Sequence, residues 1–332
     1  MTVVAVLGAG SWGTVLADLL ARKGCTVRIW AFESDVAKGI ADRHENESFL
    51  PGIELHPSLD AGDDLRAVTR GADVICFATP SHVARTVLAS ICSDVDAGIP
   101  LVCATKGIET DTLMLMGEVA SATVPQAKFV ALSGPSFAEE VHAGQPTAVV
   151  AASRDPAAAA AIQRLFATRS FRVYSSDDVT GVTLGGSLKN AIAIAAGILD
   201  GLGLGNNPRA ALLTRALAEM SRLGEVLGAR PATFAGLAGM GDLILTCTGA
   251  LSRNRQLGIA LAAGTTLEEY RATHRTVVEG VNTALAASRL ARQHGVDLPI
   301  IEQVAAILFD GASPRESIQV LMERTLKAEQ WG

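Results

Sequence analysis

The sequence predicts an α/β unit on a doubly wound, mainly parallel sheet over residues 1–178, then an all-α unit over residues 179–332. Three observations predict this. A glycine-rich turn joins the first apolar run to an amphipathic stretch. Short apolar runs then alternate with helical patterns up to about Ser175, the pattern of a parallel sheet with helices on its faces. Beyond Asp177 strand runs largely vanish and long helical patterns replace them.

The first element is Val3 to Leu7, a β-branched apolar run that reads as a buried strand. It enters Gly8-Ala9-Gly10-Ser11-Trp12-Gly13, and Thr14 to Lys23 follows with apolar residues at helical spacing: Val15, Leu16, Leu19 and Leu20. Gly8 permits the tight turn, Gly10 lets backbone approach a pyrophosphate, and Gly13 lets the helix pack close to the strand. The helix N-terminus offers free N–H groups and partial positive charge to phosphates. A second strand, Thr26 to Ala31, comes next, and Glu33 lies 20 residues after Gly13, where an acid can hold ribose hydroxyls. This strand–turn–helix–strand context points to a Rossmann-type dinucleotide site.

Further strands are expected at Val74–Ala78, Leu101–Ala104, Phe129–Leu132, Ala148–Ala151 and Phe171–Tyr174, with helices such as Val83–Ile91 and Ala157–Phe166 between them. In the second part helices are expected at Val182–Leu199, Arg209–Leu227, Thr283–His294 and Ile300–Phe309, punctuated by Gly203, Gly205, Pro208, Pro231 and Pro299.

Composition narrows the function. With 49% hydrophobic and 19% charged residues the chain is globular, and its net charge of −6 argues against nucleic acid or an anionic membrane as partner. Five scattered cysteines, Cys25, Cys76, Cys92, Cys103 and Cys247, form no CxxC pair, so neither a disulfide framework nor a zinc site is expected. The six histidines show no metal spacing, and His82 alone lies near the presumed cleft, where a structural role is expected. Met1 leads almost directly into the first strand, which leaves no room for a signal peptide, and the apolar stretch Ala191 to Leu199 is closed by Asp200, too short for a bilayer. A reducing, cytoplasmic setting is the expectation.

Ligands of such folds bind outside the carboxyl ends of the strands. The exits here read Ala78-Thr79-Pro80-Ser81-His82, Ala104-Thr105-Lys106-Gly107 and Leu132-Ser133-Gly134-Pro135-Ser136-Phe137-Ala138. Lys106 is placed either to reach the cleft or to be an ordinary surface lysine. Gly134-Pro135-Ser136 is a turn that exposes backbone, whether for a ligand or for turn chemistry alone. Gly185-Gly186-Ser187-Leu188-Lys189-Asn190 precedes an apolar helix. Buried there, Lys189 would have a lowered pKa and serve as a general base; on a helix end it would be a solvated lysine. Gly239-Met240-Gly241-Asp242 brings backbone and an acid to one point, with Thr246 one turn on. Ser252-Arg253-Asn254-Arg255 offers donors suited to a phosphate, or else a solvated helix start capped by Ser252.

Taken together these pieces resemble the NAD(P)-dependent glycerol-3-phosphate dehydrogenases. The matching segments are GAGSWGT at Gly8, FLPG at Phe49, TKG at Thr105, SGPSFA at Ser133, SLKN at Ser187, GMGDLILTC at Gly239, SRNR at Ser252 and VEG at Val278, in the family's order across nearly the whole chain. The resemblance implies Lys189 as catalytic base, with Lys106 and Asp242 around the reacting oxygen. It implies substrate contacts at Lys106, Gly134, Ser136, Lys189, Asn190, Asp242, Thr246, Ser252, Arg253 and Asn254. Cofactor contacts are implied at Ser11, Trp12, Lys106, Ala138, Arg253, Val277 and Glu279, besides the turn glycines and the Phe32-Glu33 pair.

One departure bears on the cofactor. Many bacterial members place Arg or His after the second strand, where it meets a 2′-phosphate; here the positions read Trp30-Ala31-Phe32-Glu33. That resembles the NAD-specific eukaryotic members, as does His44-Glu45-Asn46, so NAD is expected to be preferred and NADP remains possible. The family further implies reversible oxidation of sn-glycerol 3-phosphate to dihydroxyacetone phosphate, supply of the phospholipid backbone, and a homodimer. A different two-domain hydroxyacid dehydrogenase is disfavoured by the basic Ser252–Arg255 segment. A non-catalytic dinucleotide sensor would need neither Lys189 nor Asp242.

Overall fold

The computed structural model describes residues 1–274, 276–326 and 328–329. Its strands are β1 (Val3–Leu7), β2 (Thr26–Trp30), β3 (Glu45–Asn46), β4 (Leu50–Glu54), β5 (Asp60–Gly62), β6 (Val74–Phe77), β7 (Pro100–Cys103), β8 (Lys128–Ser133), β9 (Thr147–Ala152) and β10 (Phe171–Ser176). The helices among them are α1 (Ser11–Arg22), α2 (Ser34–Arg43), α3 (Leu65–Thr69), α4 (Ser81–Ile91), α5 (Met116–Thr123), α6 (Ala138–His142) and α7 (Pro156–Phe166). Then follow α8 (Val179–Gly201), α9 (Asn206–Val226), α10 (Pro231–Phe234), α11 (Asp242–Thr248), α12 (Arg253–Ala262), α13 (Leu267–Thr273), α14 (Glu279–His294), α15 (Pro299–Phe309) and α16 (Pro314–Met322).

Eight strands form one sheet in the order β10-β9-β8-β7-β6-β1-β2-β5, the fold class expected from the sequence. From β1 the chain steps outward to β2 and later returns to β6 on β1's other side, so the topological switch point lies between β1 and β6. Both strands are buried, and their alternate residues feed separate cores: Val4, Val6 and Cys76 one face, Ala5, Leu7, Ile75 and Phe77 the other.

The sheet departs from the simple alternation in one place. β9 pairs antiparallel with β8, while β10 pairs parallel with β9. The β8–β9 connection contains only the five-residue α6, too little for a helical crossover back to the starting edge, whereas α7 supplies that crossover between β9 and β10. The short hairpin β3–β4 and the edge strand β5 had no strand signal in the sequence.

The helical part is organised around α8. Its apolar stretch was expected to be too short for a bilayer, but α8 runs 23 residues and is long enough; 94% of its apolar window is buried within the fold, so neighbouring helices cover its surface. Because Gly185 and Gly186 continue the helix, Lys189 lies mid-helix and not at its start. α12 crosses α8 at close range. A Cβ on Gly197 would overlap the Arg255 carbonyl, and one on Gly258 would overlap that of Ile194. This contact carries the Ser252–Arg255 segment against the Ser187–Asn190 segment.

Candidate active site and dinucleotide cleft

Asp242 is the centre of a buried charge cluster. It opens α11, directly after the π-helical turn Leu237–Gly241, and its side chain is fully buried. Such π turns concentrate at functional sites. Asp242 Oδ2 accepts from Lys106 Nζ at 2.7 Å, and Oδ1 accepts from Lys189 Nζ. Lys189 Nζ also donates to Thr246 Oγ1 at 2.8 Å, and Thr246 in turn donates to the Asp242 carbonyl at 2.7 Å. Lys106 Nζ reaches the Gly134 carbonyl at 3.1 Å, and Ser136 Oγ donates to the same oxygen at 2.9 Å.

Two lysines thus share one fully buried carboxylate, Lys189 buried and Lys106 partly exposed. Burial lowers the Lys189 pKa to about 7, opposed by the Asp242 charge and reinforced by Lys106. Its amine can therefore both take up and give back a proton near neutral pH.

The loop carrying Lys106 is braced from three sides. Thr105 Oγ1 donates to the Thr79 carbonyl at 2.7 Å, and Ser187 Oγ donates to the Gly107 carbonyl at 3.0 Å. Arg85 on α4 holds Glu109 through two bonds of 2.8 and 2.7 Å. The Arg85–Glu109 pair was not anticipated from sequence, because neither residue has a motif or a periodic position that marks it.

Beside the cluster runs an amide chain. Asn190 Nδ2 donates to the Lys106 carbonyl at 3.2 Å, Asn254 Nδ2 donates to Asn190 Oδ1 at 3.0 Å, and Asn254 Oδ1 accepts from the Gly280 N–H at 2.9 Å. The carboxamide oxygens of both residues are therefore occupied, and Asn254 retains one N–H for a ligand. Ser252 caps α12, accepting from the Arg255 N–H at 3.3 Å, as its position suggested. Arg253 occupies the first helical position and is exposed as a residue. Surrounding protein lowers its pKa, with Glu279 opposing that effect. Arg255 turns elsewhere. It donates to Asp200 Oδ2 at 2.6 Å, while Arg209 takes the other oxygen, and this ties α12 to α8 and α9.

Glu279 opens α14 and crosses to the first part of the chain. Its carboxylate accepts from the Ser81 N–H at 2.9 Å and from Ser81 Oγ at 2.6 Å, at the start of α4. Burial raises its pKa, and the two Ser81 bonds oppose the rise. Ser81 was noted only as part of a strand exit; its pairing with a residue 198 positions away has no local signal. Val277, half-buried, lines a cavity of about 280 Å³ with His82, Tyr270 and Asn282. None of Lys106, Lys189 and Asp242 lines this cavity. His82 is exposed there.

The glycine turn fits a dinucleotide. Gly8 has φ +112°, and a Cβ on it would press on Ala78 and Thr79 at 3.0 Å, so strand exit and turn touch directly. A Cβ on Gly13 would overlap the Gly8 carbonyl, whereas one on Gly10 would meet nothing within 4 Å. Open space therefore stands at the N-terminus of α1, where backbone N–H groups and the helix dipole favour a pyrophosphate. Trp12 packs on Phe171 with its Nε1 buried and unpartnered. Ala138 opens α6 at the exit of β8. Phe32 is 80% exposed with an edge on Trp30, and Glu33, exposed at the start of α2, makes no capping bond.

Comparison with known proteins agrees over the whole chain. The NAD-dependent glycerol-3-phosphate dehydrogenase N-terminus matches residues 3–159, and the C-terminus of the same family matches residues 178–319. A protein of Geobacter sulfurreducens, named as an NAD(P)+ glycerol-3-phosphate dehydrogenase, is 55% identical over 331 residues, 99% of each chain. The crystal structure of glycerol-3-phosphate dehydrogenase from Coxiella burnetii superposes with a TM-score of 0.94 at 40% identity, covering 97% of this chain and 99% of that one. That of the Saccharomyces cerevisiae enzyme gives 0.82 at 27% identity, covering 97% and 99%. With both halves of the chain matched and a relative 55% identical over 99% of its length, this chain belongs to the NAD-dependent glycerol-3-phosphate dehydrogenase family.

Proposed function

We propose that this chain interconverts sn-glycerol 3-phosphate and dihydroxyacetone phosphate with a nicotinamide dinucleotide, supplying glycerol phosphate for phospholipid synthesis. The observation that carries it is the buried Lys106–Asp242–Lys189 cluster at the carboxyl edge of a sheet whose first turn fits a pyrophosphate. When bound, the nicotinamide takes up or supplies the hydride at C2 of the substrate.

The chain's own residues move the proton. In oxidation, neutral Lys189 accepts the hydroxyl proton; in reduction, its ammonium returns a proton to the developing alkoxide. Asp242 orients Lys189, and Lys106 places a second positive charge beside the oxygen. Arg253, the free N–H of Asn254 and the N-terminus of α12 hold the substrate phosphate. That remote grip orients the reacting carbon, with Gly134, Ser136 and Thr246 completing the pocket wall. Gly8, Gly10, Ser11, Trp12 and Gly13 would hold the pyrophosphate of the cofactor, and Ala138, Val277 and Glu279 would provide further contacts to it.

NAD is the preferred cofactor in this proposal, since Ala31, Phe32, Glu33 and Ser34 offer no cation for a 2′-phosphate. The proposal also divides the chain at 178/179 into cofactor and catalytic parts, and places it in the cytoplasm as a homodimer, which light scattering tests. The deciding experiment is a nicotinamide absorbance assay with dihydroxyacetone phosphate, run with NADH and with NADPH, beside 2- and 3-oxo acids. Turnover of the oxo acids without turnover of dihydroxyacetone phosphate would end the proposal.

A further inference from the structure

The hairpin β3–β4 is stapled onto the glycine turn, and one buried side chain, Asn46, makes most of the bonds. Asn46 is 1% exposed. Its Nδ2 donates to the Ala9 carbonyl at 2.8 Å and to Thr14 Oγ1 at 2.8 Å, and its Oδ1 accepts from the Phe49 N–H at 3.2 Å. A second stitch runs back from the turn, Ser11 Oγ to the Phe49 carbonyl at 2.5 Å. Thr14 Oγ1 is itself 3.3 Å from the Ala9 carbonyl, so Asn46 and Thr14 converge on the same oxygen.

The Ala9 carbonyl shares a peptide unit with the Gly10 N–H. In a planar trans peptide the two point in opposite directions, and the described backbone has no cis peptide. Fixing the carbonyl toward Asn46 therefore fixes the Gly10 N–H away from the hairpin, at the residue whose surroundings are open. Without Asn46 the Ala9 carbonyl keeps only the longer Thr14 contact, and the peptide gains freedom to rotate.

We infer, resting on the dinucleotide function proposed above, that Asn46 is a positioning residue for the pyrophosphate cradle: it orients the Ala9–Gly10 peptide so that its N–H is preset for the cofactor. The effect is on the part shared by NADH and NADPH, not on the 2′ position and not on the lysine cluster.

The test compares Asn46→Asp, which keeps the acceptor for Phe49 and loses both donors, with Thr14→Val, which keeps the Asn46–Ala9 bond. Asn46→Ser is the second variant should Asn46→Asp fail to fold. Dissociation constants for NADH and NADPH are read by quenching of nicotinamide fluorescence, well below each variant's thermal midpoint. The Asn46 variants should weaken both dinucleotides by the same factor, about tenfold, the scale of one buried hydrogen bond left unmade. Their kcat at saturating cofactor and KM for dihydroxyacetone phosphate should be unchanged. Thr14→Val should lower the midpoint yet leave both constants within about twofold, because its loss leaves the carbonyl held. A folded Asn46 variant with wild-type constants overturns the inference alone, and so does a loss confined to one dinucleotide. Absence of binding by the wild-type protein overturns the dinucleotide function itself.

Discussion

Asp242 divides its carboxylate between Lys189 on one oxygen and Lys106 on the other. Two potential cations meet one anion in a fully buried position, so the cluster is electrically balanced when one lysine is neutral. Burial selects Lys189 for that state. The two lysines differ in their access to water, with side-chain exposures of 8% for Lys189 and 15% for Lys106.

The pH dependence follows from that selection. With Lys189 near 7, oxidation of glycerol 3-phosphate needs the neutral amine, so kcat should rise as pH increases through about 7 and then level. Reduction needs the ammonium and should fall over the same interval. Lys189→Ala should lower kcat about 10²–10⁴-fold and flatten both limbs. Steady-state pH profiles in both directions check this; a variant that keeps the wild-type profile would place the base elsewhere.

Asp242→Asn should act on the same profile in a stated direction. The carboxylate charge raises the Lys189 pKa against burial, so its loss lets burial and Lys106 push that pKa lower still. The oxidation limb should move to lower pH while the plateau drops, because Lys189 loses its orienting partner. A plateau loss with the limb unmoved would show that Asp242 acts by orientation alone.

Arg253→Ala should discriminate between substrates. A phosphate held by a partly desolvated guanidinium loses about 2–5 kcal/mol when that group is removed. kcat/KM for dihydroxyacetone phosphate should fall accordingly, and that for unphosphorylated dihydroxyacetone should change little. Equal losses for both substrates would assign Arg253 to the cofactor and remove it from the phosphate site.

Glu33→Arg should shift cofactor choice. Glu33 is exposed and makes no capping bond, so its carboxylate is free to accept from ribose hydroxyls and to repel a 2′-phosphate. The kcat/KM ratio of NADPH to NADH should rise about tenfold or more in the variant, a gain of at least ~1.4 kcal/mol. An unchanged ratio means that Glu33 points away from the ribose.

Much of this protein is written in short stretches of its sequence. The turn Gly8–Gly13, the strand exits and the cap at Ser252 depend on residues a few positions apart, and backbone conformation at that range follows from glycine freedom, periodicity and capping chemistry. The fold class and the candidate lysines, Lys106 and Lys189, could be read from such local patterns. The tertiary structure decided what those residues touch. Lys106 and Asp242 are 136 positions apart, and Lys189 and Asp242 are 53 apart. Their meeting depends on how α8, α11 and the β7 exit pack, which no window of sequence contains. The same holds for the reversal of β9, the burial of α8, the turning away of Arg255 toward Asp200, and the seating of Asn46 on the Ala9 carbonyl. Local sequence sets which conformations a segment can adopt; burial and hydrogen-bond satisfaction across distant segments select which polar groups must pair.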